Sequence, residues 1–156
     1  MGTNLSRKGY TLIELIICLA ILCVLLGIVA TIFIRVLYIY KKIGCLNELH
    51  YQAQVVNHHL YLRLSQCDHW DFDENSKQLS TYQLNPKNNQ HDIYRIKHKS
   101  STGDLIENYN ELANFVKNMI FLQLPDSDCL YYEIIFEKGG ETYILSNSIK
   151  MRNLQN

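Results

Sequence analysis

The chain begins with a stretch in which polar and apolar positions do not alternate. Residues 15–34, LIICLAILCVLLGIVATIFI, carry no charge and no proline, and Gly27 is their one weak helix former. At about 1.5 Å of rise per residue this run spans roughly 30 Å as a helix, which is the thickness of the hydrocarbon layer of a bilayer. A buried helix of a soluble domain carries a shorter apolar run, of about 10–14 residues. A secretory signal peptide would share the basic start, but it would stop after about 7–15 apolar residues and be followed by a small-residue cleavage site. Residues 32–40, IFIRVLYIY, offer no such site.

After Ile34 the continuous pattern becomes a stripe. Ile39, Ile43, Leu46, Leu49, Ala53, Val56, Leu60 and Leu64 recur at steps of three and four, the period of an amphipathic helix with one buried face. Gly44 is the only expected interruption, and one interior glycine costs about 1 kcal/mol, too little to end a helix. A single helix is therefore predicted from about Tyr10 to Gln66, roughly 85 Å long at the standard rise.

The remainder reads mainly as strands. Leu79–Leu84 and Ile93–His98 are rich in β-branched and aromatic residues, and Asn85–Asp92 between them has the composition of a loop. Asn110–Asn118 is expected as a short helix, with Leu112, Phe115 and Val116 on one side. Met119–Leu124 is expected as a strand ending at Pro125. The clearest hairpin joins Leu130–Glu137 to Thr142–Met151 through Lys138-Gly139-Gly140-Glu141, since Gly-Gly supplies the positive φ of a tight turn. The expected fold class is α+β, a long helix covering an antiparallel sheet.

Composition refines this division. Lys+Arg and Asp+Glu number 15 each, for a net charge of zero, which argues against a polybasic nucleic-acid binder and an acidic disordered tail. A hydrophobic content of 47% with two prolines and seven glycines excludes a low-complexity chain. Apart from Arg7, Lys8 and Glu14, every charge lies beyond Ile34. Basic residues flank the apolar run on both sides, so charge balance alone does not orient it.

Glu14 is the exception that carries chemistry. An ionised carboxylate at membrane depth costs a few kcal/mol unless it is paired. If the chain were cut before Tyr10, the new α-amine would lie one helical turn from Glu14, on the same helix or across to a neighbouring copy. The alternative is a carboxylate that stays wet at the interface.

The segment Arg7-Lys8-Gly9-Tyr10-Thr11-Leu12-Ile13-Glu14, followed by the apolar run, resembles the processing motif of type IV prepilins. The resemblance implies a basic leader, residues 1–9, removed between Gly9 and Tyr10 by a prepilin peptidase. Tyr10 then becomes the N-methylated terminus, and Glu14 serves in peptidase recognition or assembly. Tyr10 stands where phenylalanine is commoner, and many pilins have a proline in the apolar half that this chain lacks. The resemblance also implies that residues 10–34 form a transmembrane or filament-core helix. Residues 35–156 would be an amphipathic helix plus an α+β head outside the cytoplasm of a bacterium, held at its inner membrane. Partners would be the prepilin peptidase and other pilin or pseudopilin subunits, with no direct nucleic-acid binding. Leu62-Arg63, the Tyr82-Gln83-Leu84 and Ile93-Tyr94-Arg95-Ile96 strands, the segment from Val116 to Met119-Ile120-Phe121, and the ending Lys150-Met151-Arg152-Asn153 resemble larger minor pilins of the W type and J-type minor pseudopilins of type II secretion. The rival class is a non-polymerising single-pass receptor or sensor with an extracytoplasmic ligand-binding domain.

No catalytic motif stands out, and neither an enzymatic activity nor a cofactor is expected. His50, His58 and His59 are read as solvent-facing. Asp68, Asp71, Asp73 and Glu74 concentrate carboxylates of the kind Ca²⁺ favours, but without the EF-hand spacing, so a solvated loop is the default reading. Cys18 and Cys23 are packing residues of the apolar run. Cys45 and Cys67, some 33 Å apart along one helix, cannot bridge each other, whereas Cys67–Cys129 or Cys45–Cys129 can pair in an oxidising compartment. Cys67–Cys129 is the preferred pairing and free thiols the alternative.

Overall fold

The computed structural model describes residues 11–125 and 128–151. Gly9 and Tyr10 lie outside the described residues. The chain forms two compact units, one up to Lys41 and one from Lys42 onward. Helix α1, Leu12–Ser65, contributes to both, and Gly44 does not interrupt it.

In the first unit α1 is apolar all round and its side chains are exposed along its length. It is the one described helix long and apolar enough to cross a membrane. Thr31 returns its hydroxyl to the Gly27 carbonyl at 2.8 Å, which satisfies a polar group that would otherwise meet hydrocarbon.

The second unit places the rest of α1 on eight antiparallel strands. Strands β1 (His69–Asp73), β2 (Gln78–Asn85), β3 (Gln90–Lys99), β4 (Asp104–Glu107) and β5 (Asn110–Ala113) form one sheet in chain order. Strands β6 (Val116–Gln123), β7 (Cys129–Lys138) and β8 (Glu141–Lys150) form a second. The α+β class is as expected, but there are two sheets where one was expected. The predicted helix over Asn110–Asn118 is instead β5 and the start of β6. Phe115 between them adopts φ 64, a left-handed kink that ends one sheet and starts the other. The acidic stretch expected as a loop is strand β1, and the expected loop Asn85–Asp92 shrinks to a turn between Asn85 and Gln90. The Gly139-Gly140 hairpin is as read from sequence, with φ of 60 and 83.

One core joins the helix to both sheets. Leu49, Ala53, Val56, Leu60 and Leu64 of α1 are buried against Leu79, Ile96 and Leu105 of the first sheet and Met119, Leu130, Ile134 and Phe136 of the second. Ile39 and Ile43, expected in the same stripe, are exposed, so burial on α1 begins only near Leu49. His98, buried on β3, links the sheets through a contact of 2.8 Å between its Nε2 and the Val116 carbonyl.

Polar groups fix how the helix sits. Arg63 pairs with Glu107 of β4 at 2.7 Å and lies over the Tyr94 ring at 3.7 Å, while His59 reaches the other Glu107 oxygen at 3.3 Å. Asn57 accepts from the Tyr132 hydroxyl at 2.5 Å and from the Asn147 amide at 3.1 Å. At the hairpin tip, Lys138 pairs with Glu48 at 2.5 Å and Glu141 with Lys42 at 3.0 Å. These partners lie far apart in sequence, so they select one seating of the helix among those the apolar stripe would tolerate.

Burial pushes the Tyr132 hydroxyl up from its usual 10.0 to about 12, and burial together with the Asp68 charge pushes the Cys67 thiol up from 9.0 to about 11. Each raised value favours the protonated form in the folded chain. Their contribution is complete below pH 9.0 and is lost as the pH rises to about 12. Unfolding followed by fluorescence of Trp70, the only tryptophan, should therefore show stability falling across this range. Replacing Tyr132→Phe should flatten the fall above pH 10, removing on the order of 2–3 kcal/mol of pH dependence.

Candidate functional site

The start of α1 is built by a reciprocal cap. The Thr11 backbone N–H donates to Glu14 Oε2 at 2.8 Å, and the Thr11 hydroxyl donates to the same oxygen at 3.0 Å. The Glu14 N–H in turn reaches Thr11 Oγ1 at 3.4 Å. This is a capping box, in which a threonine and a glutamate three residues on satisfy each other's orphan donors. Glu14 also lies in the first turn, where the helix dipole favours negative charge. The carboxylate is therefore held in place within its own chain. Its second oxygen, Oε1, makes no hydrogen bond among the described residues. Glu14 shares a shallow apolar groove of about 500 Å³ with Leu15, Cys18, Leu19 and Leu22.

The sequence reading singled out Glu14 but missed its Thr11 partner. The signal was available, since Thr-x-x-Glu before an apolar run is a sequence signature of a helix start. It noted the basic flank at the far end of the apolar segment but not that Tyr38 and Tyr40, 68% and 78% exposed, stand there beside Arg35 and Lys41. Aromatic and basic side chains of this kind anchor helices at membrane–water interfaces.

The remaining expected residues do not gather into a site. Asp68 accepts the Leu84 N–H at 2.5 Å. Asp73 accepts from the Ser76 hydroxyl at 2.7 Å and the Asn75 N–H at 2.9 Å, bonds that hold its carboxyl below the usual range. Asp71 and Glu74 line a small concavity beside Trp70 and Phe72. Among the described residues no group of three or more His, Cys, Asp or Glu side chains is placed to hold a metal ion. His50 contacts Tyr143 at 3.1 Å and Gln54 at 2.9 Å, His58 is exposed, and His59 pairs with Glu107. No disulfide joins Cys67 to Cys129. The Cys67 thiol is buried and donates to the Leu64 carbonyl at 3.2 Å.

A capped helix whose first part is apolar enough to cross a membrane, with Glu14 as the one carboxylate of that part, has the features of a single-pass membrane-anchored protein. Residues 4–30 match the family model described as "Prokaryotic N-terminal methylation motif". The chain is thus type IV prepilin-like at its N-terminus, a motif of structural subunits that implies processing by a prepilin peptidase and partners of the pilin type. Neither a curated protein nor a solved structure matches the chain.

Proposed function

We propose that this chain is a minor pilin or pseudopilin subunit that assembles into, or primes, a type IV pilus or a type II secretion pseudopilus. The leader, residues 1–9, is cut between Gly9 and Tyr10, and Tyr10 becomes the methylated terminus. Residues 10–34 hold the subunit in the bacterial inner membrane until it joins the filament, with residues 35–156 outside the cytoplasm. On assembly Glu14 pairs with the Tyr10 amine of a neighbour.

The observation that carries this reading is the methylation motif over residues 4–30, set on an apolar helix with no cover of its own. Lipid tails and a bundle of apolar helices are similarly apolar, so burial alone drives assembly weakly. A charge pair at one fixed height would then set the axial register. The cap supports this, because it uses only Oε2 of Glu14 and a neighbour's amine can bind Oε1 without breaking it.

The test is mass spectrometry of the mature chain from cells with an active prepilin peptidase. A chain beginning at methylated Tyr10 is expected. An intact Met1 would instead favour the single-pass receptor.

A further inference from the structure

Five of the ten described cations of the second unit face a carboxylate or a ring, and Lys87, Lys99 and Lys150 do not. Lys42, Arg63, Lys117 and Lys138 pair with Glu141, Glu107, Glu137 and Glu48, and Lys77 lies over Phe72. Arg95 and Lys97 also lack such a partner, and they stand together. They are exposed on β3, two positions and therefore roughly 7 Å apart on one sheet face, while the alternate residues Ile96 and His98 are buried. Among the described residues neither makes an ion pair or a ring contact. Their cross-strand neighbours are uncharged: Gln78 and Ile106 flank Lys97, and Ser80 flanks Arg95. Two like charges thus stand side by side with no acid directly opposite; Asp104, paired with Lys99, lies diagonal to Lys97 on the same face.

A rigid turn is fastened beside them. Asn108 donates its backbone N–H to the Arg95 carbonyl at 3.0 Å, and its side-chain oxygen accepts the Arg95 N–H at 3.0 Å. Asn108 and Tyr109 form the β4–β5 turn with φ 45 and 77, the twisted two-residue geometry that favours glycine at its second position. Tyr109 occupies that position instead and is 100% exposed. A bulky ring kept in a left-handed conformation without any packing contact is the kind of strain that accompanies ligand sites. Gln78, Arg95, Lys97, Ile106, Asn108 and Tyr109 line a concavity of about 610 Å³.

We propose that this concavity binds a carboxylate carried on a sugar ring, a uronic acid residue. The Arg95 guanidinium offers a two-pronged match to the carboxylate and Lys97 a second charge. Tyr109 presents a flat face for the apolar side of the ring, and the Gln78 and Asn108 amides reach its hydroxyls. A long phosphate backbone suits the surface less well. By strand register Asp104 shares this sheet face on the adjacent strand and Asp71, Asp73 and Glu111 share it two strands away, so a continuous polyanion would meet carboxylates on both sides of the cations.

This site does not depend on the filament role, and its test is separate. Digalacturonate is titrated calorimetrically into the full chain in non-ionic detergent micelles. Saturable binding that weakens with added salt is expected, with a neutral disaccharide about tenfold weaker or worse. The Arg95→Gln/Lys97→Gln double variant should lose about tenfold or more in affinity. Tyr109→Gly should lose binding while raising the thermal midpoint, a combination that a merely structural tyrosine would not give. Unchanged affinity in the double variant, no saturable uronate binding, or tighter binding of inorganic phosphate or a short oligonucleotide would each overturn the assignment.

Discussion

Glu14→Ala is expected to leave membrane insertion intact and to reduce incorporation into filaments by about a hundredfold. Insertion should not suffer, because a carboxylate at membrane depth is itself a cost, about 2.5–3.5 kcal/mol at the centre of a span and less near its end, that the alanine removes. Incorporation should suffer because the neighbour's amine would be left buried without its counter-charge, a loss on the order of 3 kcal/mol, or two decades in an equilibrium. The cap at Thr11 makes a second variant informative. Glutamine can also close a capping box, so Glu14→Gln keeps the bond to the Thr11 N–H, 2.8 Å in the wild-type chain, while removing the charge. If charge pairing sets the register, Glu14→Gln fails as Glu14→Ala does. If the helix cap were the whole role, Glu14→Gln would assemble normally. Counting subunits in sheared filaments, with membrane fractions as the control, reads both outcomes.

Phe136→Ala should destabilise the second unit by about 3–5 kcal/mol. Phe136 has no exposed surface and belongs to the core shared by α1 and both sheets, so its removal leaves a cavity that no single element can close. Folded domains have about 5–15 kcal/mol in total, so this one change consumes a large fraction of the margin. Trp70 is half-buried against the same core, and its fluorescence should report a lower unfolding midpoint. The apolar segment of α1 lies in the other compact unit, so Phe136→Ala should still insert into membranes. A midpoint within experimental error of the wild type would contradict this placement of the core.

The parts legible in sequence depend on neighbours along the chain. Leu49, Ala53, Val56, Leu60 and Leu64 are buried as their spacing predicts, because a helix converts a 3.6-residue period directly into a face. Gly139-Gly140 is a hairpin turn because glycine takes the two positive φ values of that turn without strain. The Thr11–Glu14 cap was equally local, and recognising Thr-x-x-Glu would have found it.

The misread segments depend on partners far away in the chain. Leu112, Phe115 and Val116 have helical spacing, yet Ala113 pairs with Leu105 and Val116 with Phe136, and these pairings outweigh so short a local preference. His69–Asp73 alternates acid with aromatic, a strand pattern obscured by its charge. It becomes a strand because Trp70 and Phe72 reach the core while Asp71 and Asp73 stay in water.

The sequence alone determined the apolar membrane-spanning length, the processing motif, the lone carboxylate above it and the register of the helix face. All of these are set by covalent order and helical period. Only the tertiary structure decided that the strands divide into two sheets at Phe115, that Glu107 is the partner of Arg63, and that Arg95 and Lys97 share a sheet face with no acid directly opposite. Cross-strand register creates those juxtapositions, and register is an outcome of competition between distant pairings that no short window of residues contains.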